Sequence, residues 1–446
     1  KIIIYLQVLF YLYFMRILSL LPFAIFIGVF LGCGIAYGNF YKLPAPIAVL
    51  AGIIVAFLLF YKNGINRNMD TFIGGCGDKN IVMMCLIILL SGAFSVLTTK
   101  IGGTEAVSQI TGSYLSPKYL YAGVFISASF LSFASGTSVG AISTLTPIVA
   151  GFVGINNIDA TLISASVLSG SMFGDNLSII SDTTIVATQS QGCSMKDKFR
   201  TNSRIAFLAS LLTVIVLIFI GFNLHSHHHN IVSSSVDIDW FKILPYMFVI
   251  IMALMRLNVF VTLFLGIIFA GGIGLYEGIP FIKFTELIYE GFTKMSDVFL
   301  VFFLTGGLAL MVEKQGGIEF IVNKIATLIT TERRAKIGIA SIVALVDLAI
   351  ANNTVAIMVS ASVARSISNR FNLKPAHTAS ILDISSCIVQ GIIPYGAQVL
   401  ALMKFINTNV DYLKMVSQCY YLIFLLIISV IYFRKSSVKE EIVSGN

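Results

Sequence analysis

Run after run of about 20 apolar residues, each long enough to cross a bilayer core as a helix, is the feature that most limits what this chain can become. Such stretches lie at 17–37, 45–61, 80–99, 118–134, 203–223, 239–256, 258–275, 296–313, 337–351 and 416–434. Further apolar pieces at 139–153, 159–173, 352–366, 376–393 and 395–408 are short or interrupted by Gly, Pro and polar residues. Segments 63–78 and 278–294 are amphipathic instead and are expected to lie at the membrane interface. The chain is 57% hydrophobic and only 11% charged, against about 25% charged in soluble domains. Its 446 residues therefore count membrane passages rather than globular domains. With no β-barrel alternation, the expected fold is an all-α polytopic membrane protein of about 10–13 membrane segments.

Twenty-nine Lys and Arg against 21 Asp and Glu leave a net charge of +8. The basic residues are dispersed, which argues against nucleic acid as a partner and fits cytoplasmic loops under the positive-inside rule. Lys196, Lys198, Arg200 and Arg204 cluster behind the first half, and Lys324, Arg333, Arg334 and Lys336 cluster in the second. The stretch 225–237 contains His225, His227, His228 and His229 but no Lys or Arg, and reads as a solvated external loop. One helix then separates the first cluster from the loop, and three separate the loop from the second cluster. The parity closes, and Arg434, Lys435 and Lys439 fall in a cytoplasmic tail. The six cysteines (Cys33, Cys76, Cys85, Cys193, Cys387, Cys419) show no C-x-x-C pair or disulfide-like spacing. The chain starts at Lys1, so either Met15 is the true start or a segment upstream was removed; no cleavable signal is read.

The chain also repeats itself. Gly92, Lys100, Gly102, Gly103 and Glu105 recur without a gap as Gly306, Lys314, Gly316, Gly317 and Glu319. Downstream, Gly-Thr-Ser-Val at 136–139 aligns with Asn-Asn-Thr-Val at 352–355, and 168–175 with 389–396. On the loop assignment, the helix ending at Lys100 runs outward and the one ending at Lys314 runs inward. The two repeats are therefore expected to be inverted, as in many secondary transporters, with a site at the repeat interface. This divides the chain into 1–79 (N-terminal helices and interfacial segment), 80–224 (first repeat), 225–295 (loop, helices and interfacial segment), 296–434 (second repeat) and 435–446 (tail). The charged residues beside the paired glycines read as anchors and caps, and Gly28/Gly32 and Gly170/Gly174 as packing devices. With no phosphate-cradling loop, ATP-driven transport is not expected. No cofactor motif is present either.

Four carboxylates stand in apolar surroundings: Asp175, Asp182, Asp347 and Asp383. A charge at the centre of a bilayer costs about 2.5–3.5 kcal/mol on insertion scales, so such residues face a cavity, bind an ion or exchange a proton. All four are candidates for proton coupling. The densest polar run, 169–184, supplies Asp175, Asn176, Ser178, Ser181, Asp182, Thr183 and Thr184, with Gly170 and Gly174 loosening the helix. An all-oxygen shell of this kind suits a hard cation, and Na⁺ is assigned to Asp175 and Asp182. In the second half Asn352 and Asn353, and the run from Gln390 through Pro394 and Tyr395 to Gln398, interrupt helices at corresponding places. Asp347, on the same helix as Asn352 and Asn353, and Asp383, upstream of Gln390, are either proton carriers or partners of a lysine such as Lys404.

These motifs, Gly136 to Pro147, Ser169 to Thr184, Asn352 to Thr354 and Gln390 to Gln398, resemble those of the NhaC family of bacterial Na⁺/H⁺ antiporters. The likeness runs from about residue 17 to 434. It implies an inverted-repeat ion-transporter fold with re-entrant hairpins, dimeric, in the bacterial inner membrane. Asp175, Asn176, Ser178, Ser181, Asp182 and Thr183 match the family's first polar motif, and Gln390, Pro394, Tyr395 and Gln398 its second. Ile179 stands where members commonly have Pro. The resemblance implies Na⁺/H⁺ antiport by alternating access, not an enzyme. Relatives within the family carry small carboxylates or amino acids, so a Na⁺- or H⁺-coupled solute carrier is the alternative.

Overall fold

Apolar sequence with its few breakers at the ends yields helix after helix in the computed structural model. It describes residues 15–40, 42–103, 105–106, 109, 117–153, 158–179, 181–224, 239–255, 257–406 and 410–434. The His-rich stretch and the tail 435–446 lie outside the described residues. Among those described, every regular element is helical. Six segments are long and apolar enough to span a membrane. Helices α1 (Leu21–Tyr37) and α2 (Ala45–Leu59) pack together and carry Pro22 and Pro46 in their first turns, where a missing N–H costs nothing. A short α3 (Ile65–Cys76) leads to α4 (Lys79–Lys100).

The first half continues with α5 (Pro117–Ser135), α6 (Ser138–Ala150), α7 (Ala160–Leu177), α8 (Asp182–Gln191) and the long α9 (Met195–Leu224). One side of α9 leaves Phe207, Leu211, Ile215 and Phe219 exposed, as expected of a lipid-facing surface. Helices α10 (Leu244–Leu254) and α11 (Val259–Tyr276) connect to α12 (Phe281–Lys314). The second half adds α13 (Gly317–Thr327), α14 (Glu332–Ile350), α15 (Asn353–Arg370), α16 (Pro375–Ile392), α17 (Ala397–Ile406), α18 (Tyr412–Ser417) and α19 (Tyr420–Arg434).

Helix α12 corrects one expectation. Segment 278–294 is not a separate interfacial helix, and the boundary drawn at 295 falls inside one unbroken element of 34 residues. No proline interrupts it, and Lys283–Glu286 (2.7 Å) and Glu290–Lys294 (3.1 Å) pair along its exposed first turns. At about 50 Å it outreaches a hydrocarbon core of about 30 Å. Its other end agrees with the repeat: α4 and α12 stop at Lys100 and Lys314, followed by Gly102 (φ 89°) and Gly316 (φ 77°).

The repeat is sharper in the backbone than in the residues. Four helices of the first half start 215 residues before a counterpart: Pro117 and Glu332, Ser138 and Asn353, Ala160 and Pro375, Asp182 and Ala397. Three of these pairs also end in register. Between α5 and α6 stand Gly136 (φ 73°) and the N-cap Thr137; between α14 and α15 stand Ala351 (φ 55°) and the N-cap Asn352. Alanine in the left-handed region is strained, so packing holds this break open. After α7 and α16 the chain turns extended at Ser178 (ψ 129°) and Ile393 (ψ 123°). The expected alignments were therefore one residue off at the first break and six at the second: Gly136 corresponds to Ala351, and Asp175 to Gln390. Short polar matches do not set register, whereas the capping residue does.

Packing crosses between halves. Helix α6 lies on α17 while α8 lies on α15, and α7 meets α16. At that meeting Cys387 Sγ donates to the Met172 carbonyl at 3.6 Å, and the two residues are counterparts, 215 apart.

Candidate ion-binding site

Breaking a buried helix leaves polar backbone ends that must be aimed somewhere. In this fold four of those ends surround one cavity of about 260 Å³, lined by Thr137 and Ser138 starting α6, Asp182 and Thr183 starting α8, Asn353 and Thr354 starting α15, and Gln398 starting α17. Helix N-termini carry partial positive charge. Asp175, near the end of α7, answers them from the wall of the cavity. Asn80 and Asn258 complete its mouth, where Asp182 is exposed.

Asp175 is buried, and each carboxylate oxygen receives a hydroxyl. Ser138 donates to Oδ2 at 2.8 Å, and Ser181, the N-cap of α8, donates to Oδ1 at 2.6 Å. Thr183 shares a hydrogen bond of 2.9 Å with Ser181. A second line of amides supports Ser138: Gln398 Nε2 donates to its hydroxyl at 3.0 Å, and Gln390 Nε2 donates to Gln398 Oε1 at 2.7 Å and to the Ala351 carbonyl at 3.2 Å. With its amino group held by two acceptors, Gln390 Oε1 is left buried with no hydrogen-bond partner among the described residues. The Asn352 and Asn353 side-chain oxygens accept from the Val355 and Thr354 amides at 3.1 and 3.0 Å. The arrangement is a fixed carboxylate, an unused amide oxygen and hydroxyl oxygens around a partly open space. That is a donor set for a hard cation.

The cavity gathers Asp175, Ser181, Asp182, Thr183, Asn352, Asn353, Gln390 and Gln398 as the sequence predicts. It does not gather the rest. Ser178 donates to the Phe133 carbonyl at 2.8 Å and only braces the break. Tyr395 packs edge-on against Phe26 (5.0 Å) and donates to the Leu348 carbonyl at 2.6 Å, outside the cavity lining. Asn176 and Asp383 belong to a separate buried cluster on the other side of α7. There Lys198 of α9 forms an ion pair with Asp383, both 1% exposed. Lys198 also donates to the Asn176 carbonyl (3.0 Å) and Thr184 (2.7 Å), and Asn202 to Asp383 (3.1 Å) and the Asn176 side chain (2.9 Å). Lys198 is thus not a cytoplasmic loop cation. Nor is Lys404 the partner of a buried aspartate; it pairs with Asp297 at 3.0 Å near the surface. Asp347 lies away from Asn352 and Asn353, beyond the break at Ala351, and is fully buried.

Against this geometry stands the comparison with known proteins. The sequence profile described as "Na+/H+ antiporter family" matches residues 2–222 and 233–437. The chain belongs to the Na⁺/H⁺ antiporter family. The resemblance read from its motifs therefore holds. Its relatives in the family include a malate-2H⁺/Na⁺-lactate antiporter of Bacillus subtilis, 24% identical over 330 residues, 70% of this chain and 68% of that one. An uncharacterized Na⁺/H⁺ antiporter of Haemophilus influenzae is 28% identical over 43% of this chain and 40% of its own length. The Na⁺/H⁺ antiporter NhaC of Bacillus subtilis is 24% identical over 44% of each. Those two alignments span less than half of either antiporter. Among solved structures the Alcanivorax borkumensis YdaH transporter matches 84% of this chain and 88% of its own, at 13% identity and a TM-score of 0.41. By its family and its apolar helices, the chain is a multi-pass membrane transporter.

Three positions of the candidate site and its neighbouring cluster escape a reading of the sequence. Ser138 looks like any small residue in an apolar helix; its place after Gly136 and Thr137, a breaker and a capping residue, is the only signal for it. Lys198 hides among the basic residues at 196–204, and its helical spacing from Asn202 is the usable hint. Asn258, the N-cap of α11, enters the cavity mouth from an element outside both polar runs.

Proposed function

We propose that the protein is a secondary Na⁺/H⁺ antiporter of a bacterial cytoplasmic membrane, exchanging sodium for protons by alternating access. The observation that carries the reading is Asp175, with one hydroxyl on each oxygen, in the wall of a cavity where four helix N-termini meet. Hydroxyl donors and helix N-termini aim partial positive charge at this carboxylate. A sodium ion entering from the mouth at Asp182 meets Asp175, the free Gln390 Oε1 and the Thr137 and Thr183 oxygens. Halves inverted across the bilayer would then rock about the α7–α16 contact, where Met172 meets Cys387. A homodimer belongs to the same reading, resting on the NhaC resemblance. In reconstituted vesicles an imposed pH gradient drives ²²Na⁺ uptake, and Na⁺ addition moves protons the opposite way. Absence of Na⁺-dependent proton flux at both mildly acidic and alkaline pH ends the proposal.

One observation favours a second reading. Four positive helix ends around about 260 Å³ also suit a small organic anion bound beside the cation, and one relative is named for exchanging malate and lactate. On this reading Asn353 and Gln398 hold a carboxylate beside bound Na⁺. Labelled C3 and C4 carboxylate uptake, with and without a Na⁺ gradient, separates the two.

A further inference from the structure

Asp347 is 0% exposed, and neither of its carboxylate oxygens has a hydrogen-bond partner among the described residues. It contrasts with Asp175, whose two oxygens are both served by hydroxyls. The repeat says what its surroundings were built for. Counting 215 residues back, its counterpart is Ser132, whose hydroxyl donates to the Ser171 carbonyl at 2.7 Å. In the first half this position holds a neutral hydroxyl donor, whereas in the second it holds a buried carboxyl with no donor on either oxygen. A carboxyl there fits by carrying a proton and donating as the serine does.

Its neighbours bear this out. Helix α14 packs against α12, α13, α15, α16 and α19. The titratable groups near Asp347 are Tyr395, whose hydroxyl is already given to Leu348, and Cys387 on α16. Beyond Cys387 come Asp175 on α7 and the Asp383–Lys198 pair of α16 and α9. No ion pair joins Asp347 to α12, α13, α15 or α19 among the described residues, so no lysine or arginine neutralises it.

We propose that Asp347 is the proton-carrying site of this transporter, distinct from the cation site at Asp175. The inference rests on the antiport reading and divides its labour: Asp175 holds the cation, while Asp347 takes a proton from water on one side and returns it to water on the other. Cys387 of α16 feels the charge of both carboxylates.

The test uses the full chain in proteoliposomes and compares ²²Na⁺ uptake driven by a pH gradient with ²²Na⁺/Na⁺ exchange at equal pH. Asp347→Asn and Asp347→Ser, the latter copying the counterpart residue Ser132, are expected to lose pH-driven uptake by about tenfold or more. Both keep Na⁺/Na⁺ exchange to within about twofold, because the cation site is intact. Full pH-driven uptake in either variant overturns the proposal, as does loss of Na⁺/Na⁺ exchange in both. Failure of the antiport reading looks different, since the unaltered protein would then show neither flux.

Discussion

At the scale of single residues the site depends on how a carboxylate is dressed. Ser138→Ala or Ser181→Ala removes one hydrogen bond to a charged acceptor, a loss of about 1.5–3 kcal/mol. Each is expected to raise the Na⁺ concentration for half-maximal flux by about tenfold, and Asp175→Asn to abolish Na⁺ flux, both read in vesicles. The Lys198–Asp383 pair answers differently. Lys198→Ala strands a buried carboxylate and is expected to cost about 3–5 kcal/mol, whereas Lys198→Met with Asp383→Leu recovers most of it. Thermal unfolding in detergent separates them, and a Lys198→Ala protein as stable as the parent contradicts the assignment. Asp175 and Asp182 were legible because acids are conspicuous in apolar sequence. Asp383 was equally conspicuous, but its partner is 185 residues upstream, and no local pattern announces a contact of that kind. Asn176 and Asp175 are neighbours in the chain yet face different clusters, because adjacent residues of a helix lie about 100° apart.

Helices set where those residues can stand. The backbone of α7 passes so close to α5 that a Cβ on Gly170 would strike the Phe125 carbonyl, and one on Gly174 the Ser129 carbonyl. Gly174→Ala should therefore destabilise by about 1–3 kcal/mol and weaken transport, since it moves the helix that carries Asp175. Gly123→Ala on α5 meets open space and should raise stability slightly; equal melting shifts for the two would refute the close approach. The other end of α7 has its own control. Asp159 caps it by accepting from the Thr161 amide at 2.8 Å and pairs with Lys414 at 3.1 Å. Burial pushes this carboxyl up, but Lys414 and the two capping amides outweigh it and hold it below the ordinary range. The stabilisation is thus complete at neutral pH and lost as pH falls through the lowered value. Asp159→Asn should lower the melting temperature at pH 7, and the gap should close in strong acid. The sequence made helices legible as apolar runs. It hid that α12 swallows an amphipathic segment, because a charged helix face looks alike whether it lies on a membrane or stands out of one. Gly28 and Gly32, which look like a packing pair, have nothing within 4 Å of a Cβ.

For the molecule as a whole, coupling two fluxes requires that the mouth of the site open to one side at a time. Asn258 and Asp182 stand at that mouth. A cysteine placed at 258 is expected to react with a membrane-impermeant thiol reagent from one side only, and more slowly at saturating Na⁺. Equal labelling from both sides would speak for a channel. The doubling of the chain was legible from paired glycines and lysines, but its register emerged only from where helices start. It has a consequence for how the protein is made. With α6 seated on α17 and α8 on α15, neither half can close its own polar interior. At about 5–20 residues per second of synthesis, the first half waits tens of seconds in the bilayer, with Ser138 and Ser181 in reach of Asp175 but Gln390 and Gln398 not yet made. The hydroxyls that dress Asp175 come early in synthesis, and the amides that brace them come late.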